Sequence, residues 1–216
     1  MEEFPKQRWE LPKEEEQDAQ IGLLEWELEE RNKQHVEEIE GIHTQHGIEP
    51  LTGTRRREVL KDELDRILPM IRGEMSEQRG SGESFKSVSL IFIDLDKFKQ
   101  VNDTRGHLEG DKVLIKVAEL LRDVIRGTDM LARYGGDEFA VLLPNTDENS
   151  AIIIAEKLRA TLDTDVELKG FGVTASIGVC SSDVSTAEDT ETFIKHADEA
   201  SYVAKRAGGN RVEVYK

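Results

Sequence analysis

From Lys86 onward the apolar positions of this 216-residue chain alternate between two periods, and the alternation outlines a domain. Val88–Ile93 is an almost unbroken apolar run, as a central strand covered on both faces requires. Gly110–Arg126 then places Leu114, Val117, Leu121 and Val124 at helical spacing and predicts an amphipathic helix. Met130–Arg133 and Phe139–Leu143 read as two strands, and Tyr134-Gly135-Gly136-Asp137 between them is a hairpin signal. Asn145–Leu162 reads as a helix capped by Asn145 or Thr146. Val173, Ala175, Ile177 and Val179 alternate along one face of a further strand. Phe193, Ala197, Ala200 and Ala204 mark a helix that Gly208-Gly209 ends, and Arg211–Tyr215 is a last short strand. The expected fold is α/β (α+β), with a central, mostly antiparallel sheet flanked by helices and no internal repeats.

The pattern upstream is different. Lys13–Gln45 reads as one long charged helix with Ile21, Leu24, Leu28, Val36 and Ile39 partly at coiled-coil spacing, the seam breaking near Arg31–His35. Two readings stand side by side: a solvated helix packing on nothing, or a stalk that pairs two subunits. His35, His43 and His46 are read as solvated helix residues, not a metal site. Gly47–Pro50 punctuates the chain, Thr52 onward predicts a second helix with a stripe of Val59, Leu60, Leu64, Ile67 and Leu68, and Pro69 should kink or end it. Gly80–Ser84 reads as a loop.

Charge sharpens this division. The net charge is −16, with 15 acidic against 5 basic side chains in residues 1–50 and 30 against 24 in the remainder. Such a balance argues against general affinity for nucleic acid, whose phosphates are held mainly by Lys and Arg. No apolar run approaches the roughly 20 residues that span a bilayer, and the first residues lack a signal-peptide pattern. No membrane partner and a cytoplasmic location are therefore expected. Cys180 is the single cysteine, which excludes an internal disulfide and a cysteine-rich metal site; it is expected to be a small buried thiol.

Two acidic corners carry the candidate chemistry. In Ile93-Asp94-Leu95-Asp96 a buried strand runs out into carboxylates, and Gly135-Gly136-Asp137-Glu138 forms an acidic turn. Carboxylates at the end of a central strand are costly unless solvated or matched by cations, and two brought together raise each other's pKa. Hard oxygen donors without His or Cys point to Mg²⁺ instead of Zn²⁺, and paired glycines let the backbone approach a phosphate. Taken singly, each has a plain alternative: a solvated hairpin for the glycine turn, a helix cap for the Asp-Leu-Asp.

Together they form a recognisable set. Arg133-Tyr134-Gly135-Gly136-Asp137-Glu138-Phe139 resembles the signature of the GGDEF family of diguanylate cyclases. Asp94-Leu95-Asp96-Lys97-Phe98-Lys99, Val101-Asn102-Asp103-Thr104, Gly106-His107 and Gly110-Asp111 resemble that family's upstream motif in order and spacing. The resemblance spans about Glu49 to Val212 and implies a nucleotidyl-cyclase domain related to polymerase palms, over 48–216, preceded by an acidic helical stalk over 1–47. It implies a homodimer that condenses two GTP into cyclic di-GMP and releases two pyrophosphates, with two Mg²⁺ ions per active site and Mn²⁺ as an alternative.

By the same resemblance, Asp94, Asp137, Glu138 and the carbonyl of Leu95 are metal ligands. Asp137 is also the general base, and Glu138 and Lys99 complete the catalytic set. Asn102 and Asp111 read guanine, whose N–H donors suit a carboxylate acceptor. His107, Gly135, Gly136 and Lys205 line the substrate. Arg126-Gly127-Thr128-Asp129 resembles the family's inhibitory RxxD site, implying product inhibition through Arg126, Asp129 and Arg133. A catalytically silent cyclic di-GMP receptor and a structural partner module are the competing readings.

Two departures from the family pattern stand out. Its lead-in, D-x-L-T-G-L-x-N-R-R, is here Glu49-Pro50-Leu51-Thr52-Gly53-Thr54-Arg55-Arg56-Arg57-Glu58. Its G-R-N is here Gly208-Gly209-Asn210, which predicts weaker GTP binding, offset in part by Arg206 or Arg211.

Overall fold

In a computed structural model of the chain, described for Arg31 and for residues 47–74, 85–183 and 185–216, six strands form one sheet in the order β1-β3-β4-β2-β5-β6. The strands are β1 (Arg55–Arg56), β2 (Ser87–Asp96), β3 (Met130–Arg133), β4 (Glu138–Pro144), β5 (Thr174–Asp183) and β6 (Arg211–Val214). The helices are α1 (Arg57–Ile71), α2 (Phe98–Arg105), α3 (His107–Val124), α4 (Glu148–Thr164), α5 (Val166–Phe171) and α6 (Thr190–Arg206). The expected long helix at Lys13–Gln45, with its three histidines, and the loop at Gly80–Ser84 lie outside the described residues, apart from Arg31. No helix among the described residues is long and apolar enough to cross a membrane.

The apolar run at 88–93 does what its composition demands. β2 lies at the centre, antiparallel to β4 on one side and to β5 on the other. The sheet is antiparallel in its middle and parallel at both edges, where β1 joins β3 and β6 joins β5. Alternate residues of β2 face opposite cores. Ile91, Ile93 and Leu95 join Val117 and Leu121 of α3 and Leu158 of α4 on one face. Leu90 and Phe92 join Leu60, Leu64 and Ile67 of α1 and Phe193 and Ala197 of α6 on the other. Each fully buried large side chain contributes roughly 1.5–3 kcal/mol of burial. Cys180 belongs to the second core, and burial pushes its thiol up to about 12, so it is an inert apolar filler.

Several boundaries correct the sequence reading. The helix expected from Thr52 starts at Arg57, because Leu51–Thr52 is a turn and Arg55–Arg56 are drawn into the sheet beside Ala132–Arg133. Pro69 lies in the last turn of α1 and gives up its own ladder bond there, and the helix runs only two residues further, to Ile71. α4 begins at Glu148 with Asp147 as its cap, accepting from Ser150 N–H at 2.8 Å, while Asn145 takes a left-handed φ of 51°. α3 ends at Val124, so Arg126 lies in a turn and not on the helix. α2 and α5 carry too little apolar periodicity to be predicted.

Candidate active site

The acidic corner sits where β2 leaves the sheet. Asp94 lies opposite Glu138 of β4 and Ser176 of β5, and Lys205 of α6 reaches across to place its Nζ 2.6 and 2.8 Å from the two Asp94 oxygens. Burial pushes the Asp94 carboxyl up in spite of that ammonium, and the Asp137 and Asp96 charges add to the rise. Glu138 is raised likewise, first by burial, then by the charges of Asp198, Asp94 and Asp137. Burial works to lower the Lys205 ammonium, but Asp94, with Asp137 and Asp96 behind it, outweighs burial and raises it. The corner is thus an excess of negative charge answered by one lysine.

Asp96, two residues on, has a different occupation. It is buried and accepts from Thr174 Oγ1 (2.7 Å), Ser176 Oγ (2.7 Å) and the Asn210 N–H (2.9 Å). It ties the loop after α6 to the sheet and thereby fixes the end of the helix that carries Lys205. Nothing in the local sequence separates Asp96 from Asp94; only the hydroxyl partners on β5 do.

Lys97 leaves β2 in a left-handed conformation (φ 62°) and turns the chain into α2. α2 supplies Lys99 and Asn102, and α3 supplies His107, Asp111 and Leu114. With Phe98, Arg133, Gly136 and Asp137 they line one cavity of about 330 Å³. Asp137 is the hinge between cavity and acidic corner: its side belongs to the cavity, and its carbonyl accepts the Leu95 N–H at 3.2 Å. The turn itself is closed by the Tyr134 and Gly135 N–H groups on the Glu138 carbonyl (2.8 and 3.3 Å). A Cβ at Gly135 would strike the Glu138 carboxylate, so a larger residue there would have to turn that carboxylate aside.

Asn102 Oδ1 is buried and has no hydrogen-bond partner among the described residues. A buried carbonyl of this kind costs about 1–3 kcal/mol unless something meets it, and it lies in the cavity that a ligand would fill. A Cβ on Gly110 would collide with that oxygen and come within 3.3 Å of the Phe98 ring. Alanine in a helix normally gains up to about 1 kcal/mol over glycine. We therefore expect Gly110→Ala to leave the urea midpoint unchanged or slightly raised while swinging Asn102 away; a fall in the midpoint would show that Asn102 cannot give way.

The residues proposed for an inhibitory site divide. Arg126 and Asp129 share one turn, with the Arg126 N–H on Asp129 Oδ2 (2.9 Å) and the Asp129 N–H on the Arg126 carbonyl (3.0 Å). They line a depression of about 530 Å³ together with Arg122 and with Ile48, Gly53, Thr54 and Arg55 of the lead-in turn. Arg133 does not reach this depression. It is held instead by Glu49 (3.0 Å) and by the Gly136 carbonyl, and it lines the other cavity. Its place in the sequence, three residues before Gly136, gave no sign of that partner.

The donors Asp94, Glu138 and Asp137 with the Leu95 carbonyl are all hard oxygens, and the raised Asp94 and Glu138 carboxyls are short of cationic partners, so the set fits Mg²⁺ in its chemistry. Among the described residues, no three carboxylate, imidazole or thiolate side chains are already grouped to hold a metal ion.

Comparison with known proteins points to one family. The family described as "Diguanylate cyclase, GGDEF domain" matches residues 48–211. Diguanylate cyclase A of Treponema denticola is 40% identical over 139 residues, covering 63% of this chain and 37% of the relative. Diguanylate cyclase DosC of Escherichia coli is 39% identical over 155 residues, covering 70% of this chain and 33% of the relative. The chain thus spans about a third of the length of these curated relatives. The solved coiled coil and GGDEF domain of DgcB from Caulobacter crescentus, in complex with c-di-GMP, superposes with a TM-score of 0.66 at 28% identity, covering 91% of this chain and 98% of that one.

Proposed function

The chain belongs to the GGDEF domain family, and on that premise we propose that it is a diguanylate cyclase, joining two GTP into cyclic di-GMP with release of two pyrophosphates. The observation that carries this reading is the convergence of Lys99, Asn102, His107, Asp111, Gly136 and Asp137 on one cavity beside the Asp94–Lys205 pair. The Asn102 oxygen and the Asp111 carboxylate accept from the N–H edge of guanine, an edge that adenine lacks, which selects GTP over ATP. Lys99 and Lys205 place ammonium charge against the phosphates. Asp137 accepts the proton of the 3′-hydroxyl that attacks the α-phosphate of the second GTP. Asp94, Asp137 and Glu138 with the Leu95 carbonyl would hold Mg²⁺, which when bound supplies Lewis-acid stabilisation of the phosphoryl charge. Lys205 neutralises Asp94 here, and with a cation held by that carboxylate it would be free to turn to phosphate.

Each chain carries one such site, so two chains must meet face to face and the active species is a homodimer. Residues 1–47 serve as the pairing stalk, a reading supported by the coiled coil of the DgcB structure. Arg126 and Asp129, with Arg122 beside them, form the site of product inhibition. Incubation with Mg²⁺ and either GTP or ATP tests the activity: cyclic di-GMP from GTP alone, at a specific rate that falls on dilution, is expected. Product binding without turnover would instead identify a receptor.

The family arginine is replaced by Gly209, and this chain has built its loop around the glycine. Gly209 has φ +74°, and a Cβ there would lie 2.8–2.9 Å from the Asp96 carboxylate. Left-handed backbone costs a side chain roughly 1–2 kcal/mol, and Asp96 is already committed to three donors. Gly209→Arg is expected to lower the free energy of unfolding by about that amount, seen as a lower urea midpoint, and to leave the KM for GTP no better. A lower KM with an unchanged midpoint would contradict this.

A further inference from the structure

Resting on the cyclase reading, we propose that Arg105 is a positioning residue for the nucleotide: it clamps the end of α2 to α5 and so holds Asn102 in place. α2 brings Lys99 and Asn102 to the cavity, yet it is a short helix that buries only Phe98 and Val101, both in its first half. It is joined to the chain at each end through a residue of positive φ, Lys97 at 62° and Gly106 at 86°. Asn102 Oδ1 has no hydrogen-bond partner among the described residues, so the set of the helix decides where that oxygen lies. The Gly106 N–H donates to the Asn102 carbonyl at 3.0 Å, which puts Asn102 and Arg105 in the same last turn.

Arg105 reaches from that turn across to α5. Its NH2 donates to the Gly170 carbonyl at 2.9 Å, and its guanidinium carbon lies 4.6 Å from the centre of the Phe171 ring. Carbonyls in the last turn of a helix lack partners within the helix and suit such a donor. A planar guanidinium stacks on a ring and donates from its edge at once, whereas an ammonium is a point charge. The anchor itself is firm. Asp165 caps α5 by accepting from the Glu167 and Leu168 N–H groups, both at 3.0 Å. Leu168 is buried in the first core and Phe171 packs against it. The Val173 N–H binds the Leu168 carbonyl at 3.1 Å, and β5 follows directly, paired with β2. Arg105 therefore ties the half of α2 that apolar burial leaves unsecured to the framework of the sheet.

The test uses Arg105→Ala, Arg105→Lys and Phe171→Leu in the full chain. Without nucleotide, hydrogen exchange of Phe98–Arg105 is expected to quicken about tenfold in Arg105→Ala, with β2 and β5 unchanged, and by less in the other two. Combining Arg105→Ala with Phe171→Leu should add little, since both break one contact. With Mg²⁺, the KM for GTP and the Kd for α,β-methylene GTP are expected to rise about fivefold in Arg105→Ala, with kcat within about twofold because Lys99 sits in the half that Phe98 secures. Unchanged exchange in α2 overturns the proposal, and so does quickened exchange with an unchanged Kd. Weakened binding that merely tracks a general fall in thermal midpoint overturns it too. Neither exchange nor analogue binding depends on turnover. Wild-type protein that binds the analogue but makes no cyclic di-GMP would overturn the cyclase reading alone.

Discussion

Asp94→Asn is expected to lower kcat by about a thousandfold or more while leaving the fold intact. A carboxylate that holds a catalytic cation contributes several kcal/mol to the transition state, and each 1.4 kcal/mol is a factor of ten. In stability the same change nearly balances. It removes a carboxylate whose ionised form is disfavoured by burial and repelled by Glu138, Asp137 and Asp96. It also strips Lys205 of its partner, but that ammonium is 43% exposed and can take water instead. Exposed pairs of this kind are worth under about 1 kcal/mol. Urea unfolding and initial rates of pyrophosphate release, measured side by side, check the separation. A midpoint that fell in step with the rate would make Asp94 a structural residue.

Gly178→Ala should do the opposite, costing stability first. Gly178 lies on β5 opposite Phe92, directly beneath α6. A Cβ there would run into the Ala197 carbonyl oxygen and the Ser201 amide nitrogen, and would lie 2.9 Å from the Ala200 carbonyl carbon. These are backbone atoms, so no rotamer change relieves the contact; the helix itself must move. α6 is seated on the sheet through Phe193, Ile194 and Ala197, all buried, and cannot lift without opening that core. Overpacking of this sort costs about 3 kcal/mol, or roughly 6–12 °C in thermal midpoint for a domain of this size. The displaced helix would also carry Lys205 away from Asp94. A wild-type midpoint in Gly178→Ala would show that α6 is seated less tightly than the contacts require.

These two residues illustrate what the chain discloses and what it withholds. Asp94 was legible because a buried apolar run that ends in carboxylates is anomalous wherever it occurs. The hairpin around Gly135-Gly136 and the alternation of Val173 to Val179 were legible because both are local patterns with one physical cause. Gly178 was not, because its necessity comes from α6 lying across it, twenty residues away in sequence. Asp96 carries the same carboxylate two residues on, and what sets it apart, the Thr174 and Ser176 hydroxyls and the Asn210 N–H, is remote in sequence. That Arg133 lines the cavity of Asn102 and Asp111 could not be read from spacing, since neither Glu49, 84 positions away, nor the fork onto Gly136 leaves a trace there. The start of α1 shifted for a related reason: Arg55 and Arg56 have helical neighbours but find a strand partner in β3.

The ratio of products formed from GTP and Mg²⁺ tests the account most directly. Two pyrophosphates for every cyclic di-GMP, lost together in Asp94→Asn and in Asp137→Ala, is the predicted result. Release of GDP and inorganic phosphate, or GTP left unconsumed by the intact protein, would contradict it.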